Sequence, residues 1–333
     1  MDQISEIVWK NIIHNQKFPL FGTNIPNNGN GYNDAISWKQ NFHFPRIIDT
    51  IYDSDFFTIY LRDLGLFINP NLSRKDKFKD GLSIINRSEN YYQSFIKYFC
   101  FGNHHMNNDI LRELGNWGEN LSRNGMIIFE IIGWYDNDSN QFYAYELNNL
   151  DIEYCKIEKN NIIYNAPIKF ENEKLIFRKI KIPKEKCIII EFPEELGGFK
   201  NFKKKVEQIR KLGNKHNALN LDNPGENLKQ LKNWEKKFNK IVSDWGSTNK
   251  FDEITEFYYI LNALKFKQTS ILCTIEIING LQELIKYLNK KFNEEATVKL
   301  SIEEYEKDFY QKKINNWLNG DLSFEEANEL LRN

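Results

Sequence analysis

The residues with the clearest chemical potential are basic side chains concentrated between residues 199 and 240. Twelve lysines and arginines stand against four acidic residues there, so the local charge is +8 while the whole chain carries only −1. Clustered lysines bind phosphate groups without reading a base sequence. A solvated helix face is the simpler interpretation of any charge run. The residues predicted to face a nucleic acid are Lys203, Lys204, Lys205, Lys211, Lys236 and Lys237.

Arg210 and His216 form a second candidate pair in the same stretch. Their spacing, in RKLGNKH, resembles the loose Arg-x(4–6)-His pattern of HEPN ribonucleases. That resemblance implies a histidine that acts as general acid or base and an arginine that steadies the phosphate. The family carries this motif on a helix, whereas Gly213 and Asn214 predict that the helix ends before His216. A cytosolic defence ribonuclease is the alternative function on this basis.

The sequence offers no spacing typical of a metal or nucleotide site. The four cysteines are far apart, which favours free thiols over a zinc site. The histidines include the adjacent pair His104 and His105, which is typical of a polar loop. Phosphate-binding glycine motifs are missing, and Gly197-Gly198 predicts a tight turn between a strand and a helix. We therefore expect neither a metal ion nor a cofactor.

Carboxylates on the predicted strands give no support for a metal-dependent nuclease. Glu130, Glu146 and Glu191 are present, but none belongs to the ExK pattern that places a lysine beside a metal-bound water. DNDSN at 136–140 predicts a hairpin tip rather than a calcium loop, because it lacks the central glycine and has Leu147 at the last ligand position.

Composition limits the class of protein. A chain of 333 residues is long enough for two or three packed units, and 41% hydrophobic and 14% aromatic residues are typical of globular proteins. Acidic residues interrupt the first 16 residues, so we expect no signal peptide. No apolar run approaches the roughly 18 residues of a membrane span. These features predict a protein that is neither secreted nor bound to a membrane.

The elements that must position the candidates predict an α+β fold in four parts. Residues 1–105 form an N-terminal mixed α/β region, and 106–198 a helix plus an antiparallel sheet. Residues 199–250 form the basic helical segment, and 251–333 a long helix followed by a short strand and two C-terminal helices. In the first part, NIPNNGNGYND predicts a loop. The segment from 73 to 101 predicts a pair of helices, with Ser88 as the N-terminal cap of the second.

The central part changes from helical to strand-like periodicity. Apolar residues at helical spacing predict a helix over 107–122, with Gly125 as its stop. Five runs rich in β-branched and aromatic residues follow: MIIFEIIGWYD, QFYAYELNNLD, IEYCKIEKNNIIY, LIFRKIKIP and CIIIEFP. Polar breaks at DNDSN and EKNN have hairpin length, so we expect a meandering antiparallel sheet.

The long helix is predicted to begin near Asp252 and to span about 36 residues, or roughly 54 Å. Its apolar residues cover more than a narrow stripe, which predicts burial on two sides, by its own domain and by an adjacent subunit. Gly280 leaves open a split into two helices within one domain. Ser301 with Glu304 and Ser323 with Glu326 both fit capping boxes.

The order of these elements resembles the core of tailed-phage portal proteins over residues 107–331. The resemblance rests on a helix leading into NGMIIFEIIGW, then YAYELNNLDIEY, KIKIPKEKCIIIEFP, ELGGFKNF, the long helix and INNWLNGDLSFEEANELL. The chain is shorter than that family's pattern. Its N-terminal third does not clearly match the family's wing domain, and the extended crown of some portals is missing.

The portal resemblance implies a structural protein without catalytic activity. It implies a homo-oligomeric ring, usually a dodecamer, that conducts double-stranded DNA in a virion and contacts capsid, adaptor and terminase proteins. The basic block would then lie at the clip, stem or channel wall. The C-terminal segment from Ser301 carries eight acidic and four basic residues, so a basic and an acidic block suit head-to-tail packing of neighbours. A non-enzymatic adaptor, whose long helix binds a partner, is the third hypothesis.

Overall fold

The fold is mixed α+β with antiparallel sheets, as predicted. The computed structural model describes residues 31–37, 82–89, 91, 95, 106–171, 174–216, 233, 236–247, 255–303 and 306–332. Outside them lie most of the predicted N-terminal region, including His14, His43, Cys100 and the His104-His105 pair, and also Glu304 of one predicted capping box. None of the helices in the described part of the chain has the length and apolar character needed to cross a membrane.

Helix α1 (Met106–Asn124) leads directly into the central strand β3 (Met126–Asp136). The helix ends at Gly125, as predicted, with φ at +70°, a left-handed conformation that glycine adopts without strain. Phe202 fills the space where a Cβ of Gly125 would lie, its Cδ1 only 2.2 Å away. The stop therefore also lets the basic helical segment pack closely against the α1–β3 turn.

The remaining strands agree with the predicted runs: β4 (Phe142–Leu150), β5 (Cys155–Ile157), β6 (Asn161–Glu171), β7 (Lys174–Pro183) and β8 (Cys187–Glu191). The DNDSN and EKNN breaks connect β3 to β4 and β5 to β6, and all strand pairs in the described part of the chain are antiparallel. The prediction of a single meandering sheet was wrong. β8 returns to pair with β3, while β5, β6 and β7 form a separate sheet.

β3 explains why the meander breaks. All its residues from Met126 to Gly133 are buried, so it is a central strand that needs hydrogen-bond partners on both edges. β4 takes one edge. On the other edge β8 pairs with residues 126–130, and β1 (Gly31–Asn33) pairs with residues 134–136. β1 belongs to a segment predicted as a loop, so that prediction was wrong for these residues.

Alternation along β3 divides the core into two faces. Ile127, Phe129 and Ile131 belong to the core shared with α1 and the long helix. Met126 and Ile128 belong to the core shared with the β5–β7 sheet. The architecture is therefore three layers, with helices on one side of the central sheet and a small second sheet on the other.

The long helix α3 (Glu256–Phe292) has 37 residues, about 55 Å of length, and no break. The alternative of two helices split at Gly280 was wrong. Gly280 is buried, and a Cβ there would lie 2.5 Å from Cδ1 of Ile190 on β8. The glycine therefore serves close packing of helix on sheet rather than helix termination.

Two cores of the same chain cover α3. Its C-terminal part packs in the core with the central sheet and α1, while Ile260, Leu261 and Leu264 pack against two further helices. These are α4 (Phe309–Asn319) and α5 (Phe324–Arg332). The predicted burial on two sides is confirmed, but the chain itself provides both sides. The length of α3 therefore does not call for a neighbouring subunit.

Local signals at the helix ends were largely informative. Ser323 and Glu326 form the predicted capping box: the Ser323 N–H donates to Glu326 Oε2 at 2.8 Å, and the Glu326 N–H donates to Ser323 Oγ. The Tyr91 N–H donates to Ser88 Oγ, which confirms that cap. The first helix of the predicted pair was wrong. Residues 82–85 form a strand, β2 (Leu82–Ile85), which pairs with β9 (Thr297–Leu300). LSII is rich in β-branched residues and buries Ile84 on one face, which favours a strand.

Residues 242–247 join the basic segment to α3 through a close backbone approach at Gly246. Its φ is +77°, and a Cβ would lie 2.2 Å from Asn262 O and 2.3 Å from Phe266 N. The Ser247 N–H donates to Asn262 O at 3.1 Å. Thr269 Oγ1 donates to Trp245 O at 2.9 Å. This junction fixes the basic segment relative to the long helix.

We expect Gly246→Ala to lower the free energy of unfolding by about 3 kcal/mol or more, since it combines left-handed strain with a backbone clash. Gly320→Ala is the matched control, because φ is +78° and nothing lies within 4 Å of its Cβ position. The control should cost only about 1–2 kcal/mol. Urea unfolding of both variants measures the difference, and equal losses would contradict the packing described at Gly246.

Candidate nucleic-acid interface

Helix α2 (Gly198–His216) carries most of the candidate residues. It follows a short 3-10 turn (Glu194–Leu196), and both Gly197 and Gly198 have positive φ, so the predicted tight turn is confirmed. Phe202 and Ile209 bury one face of α2. Phe202, Phe192 and Trp245 form an aromatic cluster with centroid distances of 4.9–5.8 Å, which holds α2 on the core.

The opposite face of α2, which we call the lysine face, consists of Lys200, Lys203, Lys204 and Lys211. At 100° per residue, Lys200, Lys204 and Lys211 lie within about 40° of one another around the helix. All four are exposed, and no ion pair to them occurs among the described residues. Glu207 is the one carboxylate on this face. The arrangement leaves these four cations available to an anion.

Lys203 differs from the other lysines of this face in its local contact. Its Nζ lies 4.7 Å from the centre of the Phe199 ring, one turn earlier on the helix. A cation over an aromatic face is attracted by the ring but keeps its charge. The contact therefore orients Lys203 without neutralising it.

Lys205 was wrongly predicted to face a nucleic acid. It is only 8% exposed, and its Nζ lies 2.5 Å from Asp244 Oδ1 and 2.5 Å from Ile241 O. The same Nζ lies 5.0 Å from the Trp245 ring. Lys205 falls on the buried side of α2, so its charge is used within the protein. It joins α2 to residues 241–245.

Lys236 and Lys237 are exposed on helical residues 236–241, together with Lys240. The Lys205 contacts to Ile241 and Asp244 hold this segment beside α2. The structure therefore brings the two predicted lysine groups to neighbouring elements, with Lys205 as the tie between them. Residues 217–232, which contain two further lysines of the basic stretch, lie outside the described residues.

Arg210 and His216 both belong to α2, which continues through Gly213 and Asn214. The predicted helix end before His216 was wrong. Six residues of helix separate the pair by about 9 Å along the axis. The motif therefore has the helical setting that the ribonuclease pattern requires, while the side chains of both residues lie outside the described part.

The structure also shows a buried polar cluster that the sequence did not indicate as a site. Glu130 is fully buried and accepts hydrogen bonds from Ile36 N at 2.7 Å, Ser37 N at 3.1 Å and Ser37 Oγ. Asn148 Nδ2 donates to Ser37 Oγ at 2.6 Å. These bonds satisfy the carboxylate and fix residues 36–37 to the central sheet. A glutamate inside an otherwise apolar strand was the available signal.

Glu146, on the same face of the sheet, is buried without such partners. Neither carboxylate oxygen has a hydrogen-bond partner among the described residues, and the indole N–H of Trp134 is likewise unpaired there. Burial raises the pKa of Glu146 to about 7, and the nearby Trp134 indole opposes the shift only in part. A carboxyl group with this pKa exchanges its proton near neutral pH.

The thiols and carboxylates of the described residues suggest no metal centre. Cys155, Cys187 and Cys273 are free, as predicted. Burial raises the pKa of the Cys155 and Cys187 thiols to about 12 and holds that of Cys273 well above its ordinary value, so all three stay protonated near neutral pH. In the described ranges, no three histidine, cysteine or acidic residues cluster as metal ligands would.

Comparisons with known proteins supply no family for this geometry. No protein-family model matches the sequence, and no curated protein matches it.

Glu146→Gln tests the unpartnered carboxyl. The folded state holds this proton up to about pH 7 and the unfolded chain only to about pH 4.5, so wild-type stability should fall as the pH rises between these values. The loss integrates to about 3 kcal/mol and stops above pH 7. The glutamine variant should lack this loss and be more stable than wild type at pH 8.

Chemical unfolding at pH 4.5, 6 and 8 measures the effect. Glu185→Gln, which changes an exposed carboxylate, is the control and should keep the wild-type pH dependence. A Glu146→Gln curve parallel to that of wild type would show that Glu146 does not titrate as described.

Proposed function

We propose that this chain is a structural protein of the tailed-phage portal type, which assembles into a ring and conducts double-stranded DNA. The observation that carries the proposal is the lysine face of α2. Its four cations are exposed and make no ion pair among the described residues, and Lys200, Lys204 and Lys211 lie along one stripe. A DNA channel requires this kind of contact, because DNA must move past it in any sequence.

The dimensions of the lysine face suit a duplex backbone. Lys200 and Lys211 are about 16 Å apart along the helix axis. Double-stranded DNA carries about ten phosphate charges over that length. Point-like ammonium groups attract phosphates without fixing a register, since they lack the planar fork that arginine uses to read bases. A surface of lysines rather than arginines therefore suits the passage of DNA better than the recognition of a base sequence.

Separation of charge supports self-association. The lysine face lies on α2, whereas Glu325, Glu326 and Glu329 are exposed on α5. Opposite charge on different elements favours head-to-tail contacts between copies, and such contacts close into rings when the rotation permits. The length of α3 gives no such support, because other parts of the same chain cover this helix.

The partners of the proposed ring follow from the portal resemblance. They are double-stranded DNA bound without sequence specificity, and the capsid, adaptor and terminase proteins of a phage or prophage particle. The ring would be a dodecamer in a virion or in the host cytoplasm before assembly. A separate terminase, not this chain, would then hydrolyse ATP.

Ring formation and DNA binding can be tested on one preparation. Mass in solution with negative-stain imaging should show rings of about a dozen subunits. Lys204→Glu with Lys211→Glu should lower the magnitude of the log K against log [salt] slope for a DNA duplex by about 2, because each lost phosphate contact contributes about 0.9. Lys205 is left intact, since its charge reversal beside Asp244 would disturb folding.

Lys299→Glu with Lys312→Glu is the matched control. It makes the same change in net charge at two exposed lysines on β9 and α4, and it should leave the slope near wild type. If both double variants lowered the salt slope equally, the net charge of the protein, and not the lysine face, would determine duplex binding. A monomer that binds no duplex at low salt would overturn the proposal.

A ribonuclease remains the second candidate, because α2 carries Arg210 and His216 on one continuous helix. His216→Ala should then lower cleavage of a labelled single-stranded RNA by about 100-fold or more, as expected for loss of a general acid or base. Lys215→Ala, a neighbour in sequence, should retain most of the activity. Cleavage that survives in the His216 variant would exclude this mechanism.

A further inference from the structure

The outer face of the β5–β7 sheet has a composition that neither the lysine face nor the portal resemblance explains. Register pairs Lys156 with Ile163 and Ile163 with Lys181 in one row across the sheet. The next rows pair Asn165 with Lys179, and Pro167 with Phe177. Cross-strand partners share a face, so Ile163, Phe177 and the lysines of these rows lie on the side opposite the buried core of this sheet.

Three lysines on this face are exposed: Lys156, Lys179 and Lys181. Lys179 and Lys181 have no ion-pair partner among the described residues, and Lys156 makes one surface pair with Glu158 at 3.4 Å. Ile163, between Lys156 and Lys181, is buried with only 7% exposed, so the lysines form the accessible surface of this row. This part of the face therefore offers charge.

Phe177 adds an aromatic platform. It is 42% exposed, and its ring centre lies 5.1 Å from that of Tyr154. A single exposed phenylalanine needs no explanation. Here, however, Phe177, Lys179 and Lys181 follow one another on the same face of β7, about 6.7 Å apart at each step. Aromatic rings beside a line of lysines form the combination that binds unpaired bases and their phosphates.

We propose that this face, which we call the sheet platform, binds a single-stranded nucleic acid. A base stacks on Phe177 beside Tyr154, and the adjoining phosphates meet Lys179 and Lys181. Asp151 and Glu153 lie close to Tyr154, which disfavours a phosphate there and directs the backbone over the lysine rows. A duplex is disfavoured because its base faces are already stacked and cannot cover an exposed ring.

The site is independent of the proposed portal function, since it lies on a different element from the lysine face. The test uses the full chain and fluorescence anisotropy of a labelled 15-nucleotide oligo-dT, with a mixed-sequence duplex of equal length as competitor. Phe177→Leu should weaken oligo-dT binding about tenfold, whereas Phe177→Tyr should stay within about twofold of wild type. Lys179→Gln with Lys181→Gln should reduce the salt slope by about 1.4.

The chain provides a matched aromatic control. Phe257 is 41% exposed and also contacts another ring, Trp317, at 5.2 Å, but it lies outside the platform. Phe257→Leu should therefore leave oligo-dT binding unchanged, and thermal unfolding by circular dichroism checks that each variant is folded. The proposal is overturned if wild type does not bind oligo-dT at 50 mM salt, if the two leucine variants behave alike, or if the duplex competes more strongly than unlabelled oligo-dT.

Discussion

The close approach of α3 to β8 at Gly280 is the constraint on which the rest of the fold depends. Glycine allows Ile190 to lie against the helix backbone. β8 must then pair with β3 beneath α3, and the chain returns from the β5–β7 sheet to reach it. That return leaves β5–β7 as a separate layer with an outer face of its own. The glycine thus permits the close packing of helix on sheet in the central core, and the return of β8 to β3 leaves the sheet platform outside that core.

Burial sorts the lysines of this protein into two classes that their sequence spacing does not separate. A buried ammonium is costly unless it is paired and hydrogen-bonded, so Lys205 needs Asp244, a carbonyl and an aromatic ring. An exposed ion pair contributes little to stability, so the lack of an ion-pair partner at Lys204 or Lys211 hardly changes the free energy of folding. Exposed lysines are therefore free to serve a ligand, whereas Lys205 serves the fold.

Much of the fold was predictable because local signals and tertiary packing agree. The strand runs, the stop at Gly125 and the Ser323 capping box each follow from residues close in sequence. Predictions failed where a distant contact decides. Gly280 lies within a helix against Ile190, β8 pairs across the meander, and Lys205 faces inward, and none of these is set by its neighbours in sequence. The lysine face was found from charge, while the platform emerged only from cross-strand register.

The two basic surfaces differ in the features that bear on the nucleic acid proposed for each. The lysine face presents charge on a convex helix and has one aromatic ring, Phe199, held under Lys203. Charge alone does not distinguish the stacked bases of a duplex from an open strand. The platform presents charge on a flat sheet beside an exposed ring, and an exposed ring gains from a base only when that base is unstacked. Under the two proposals, the lysine face holds a duplex and the platform holds an open strand, a division that the charge of the lysines alone does not predict.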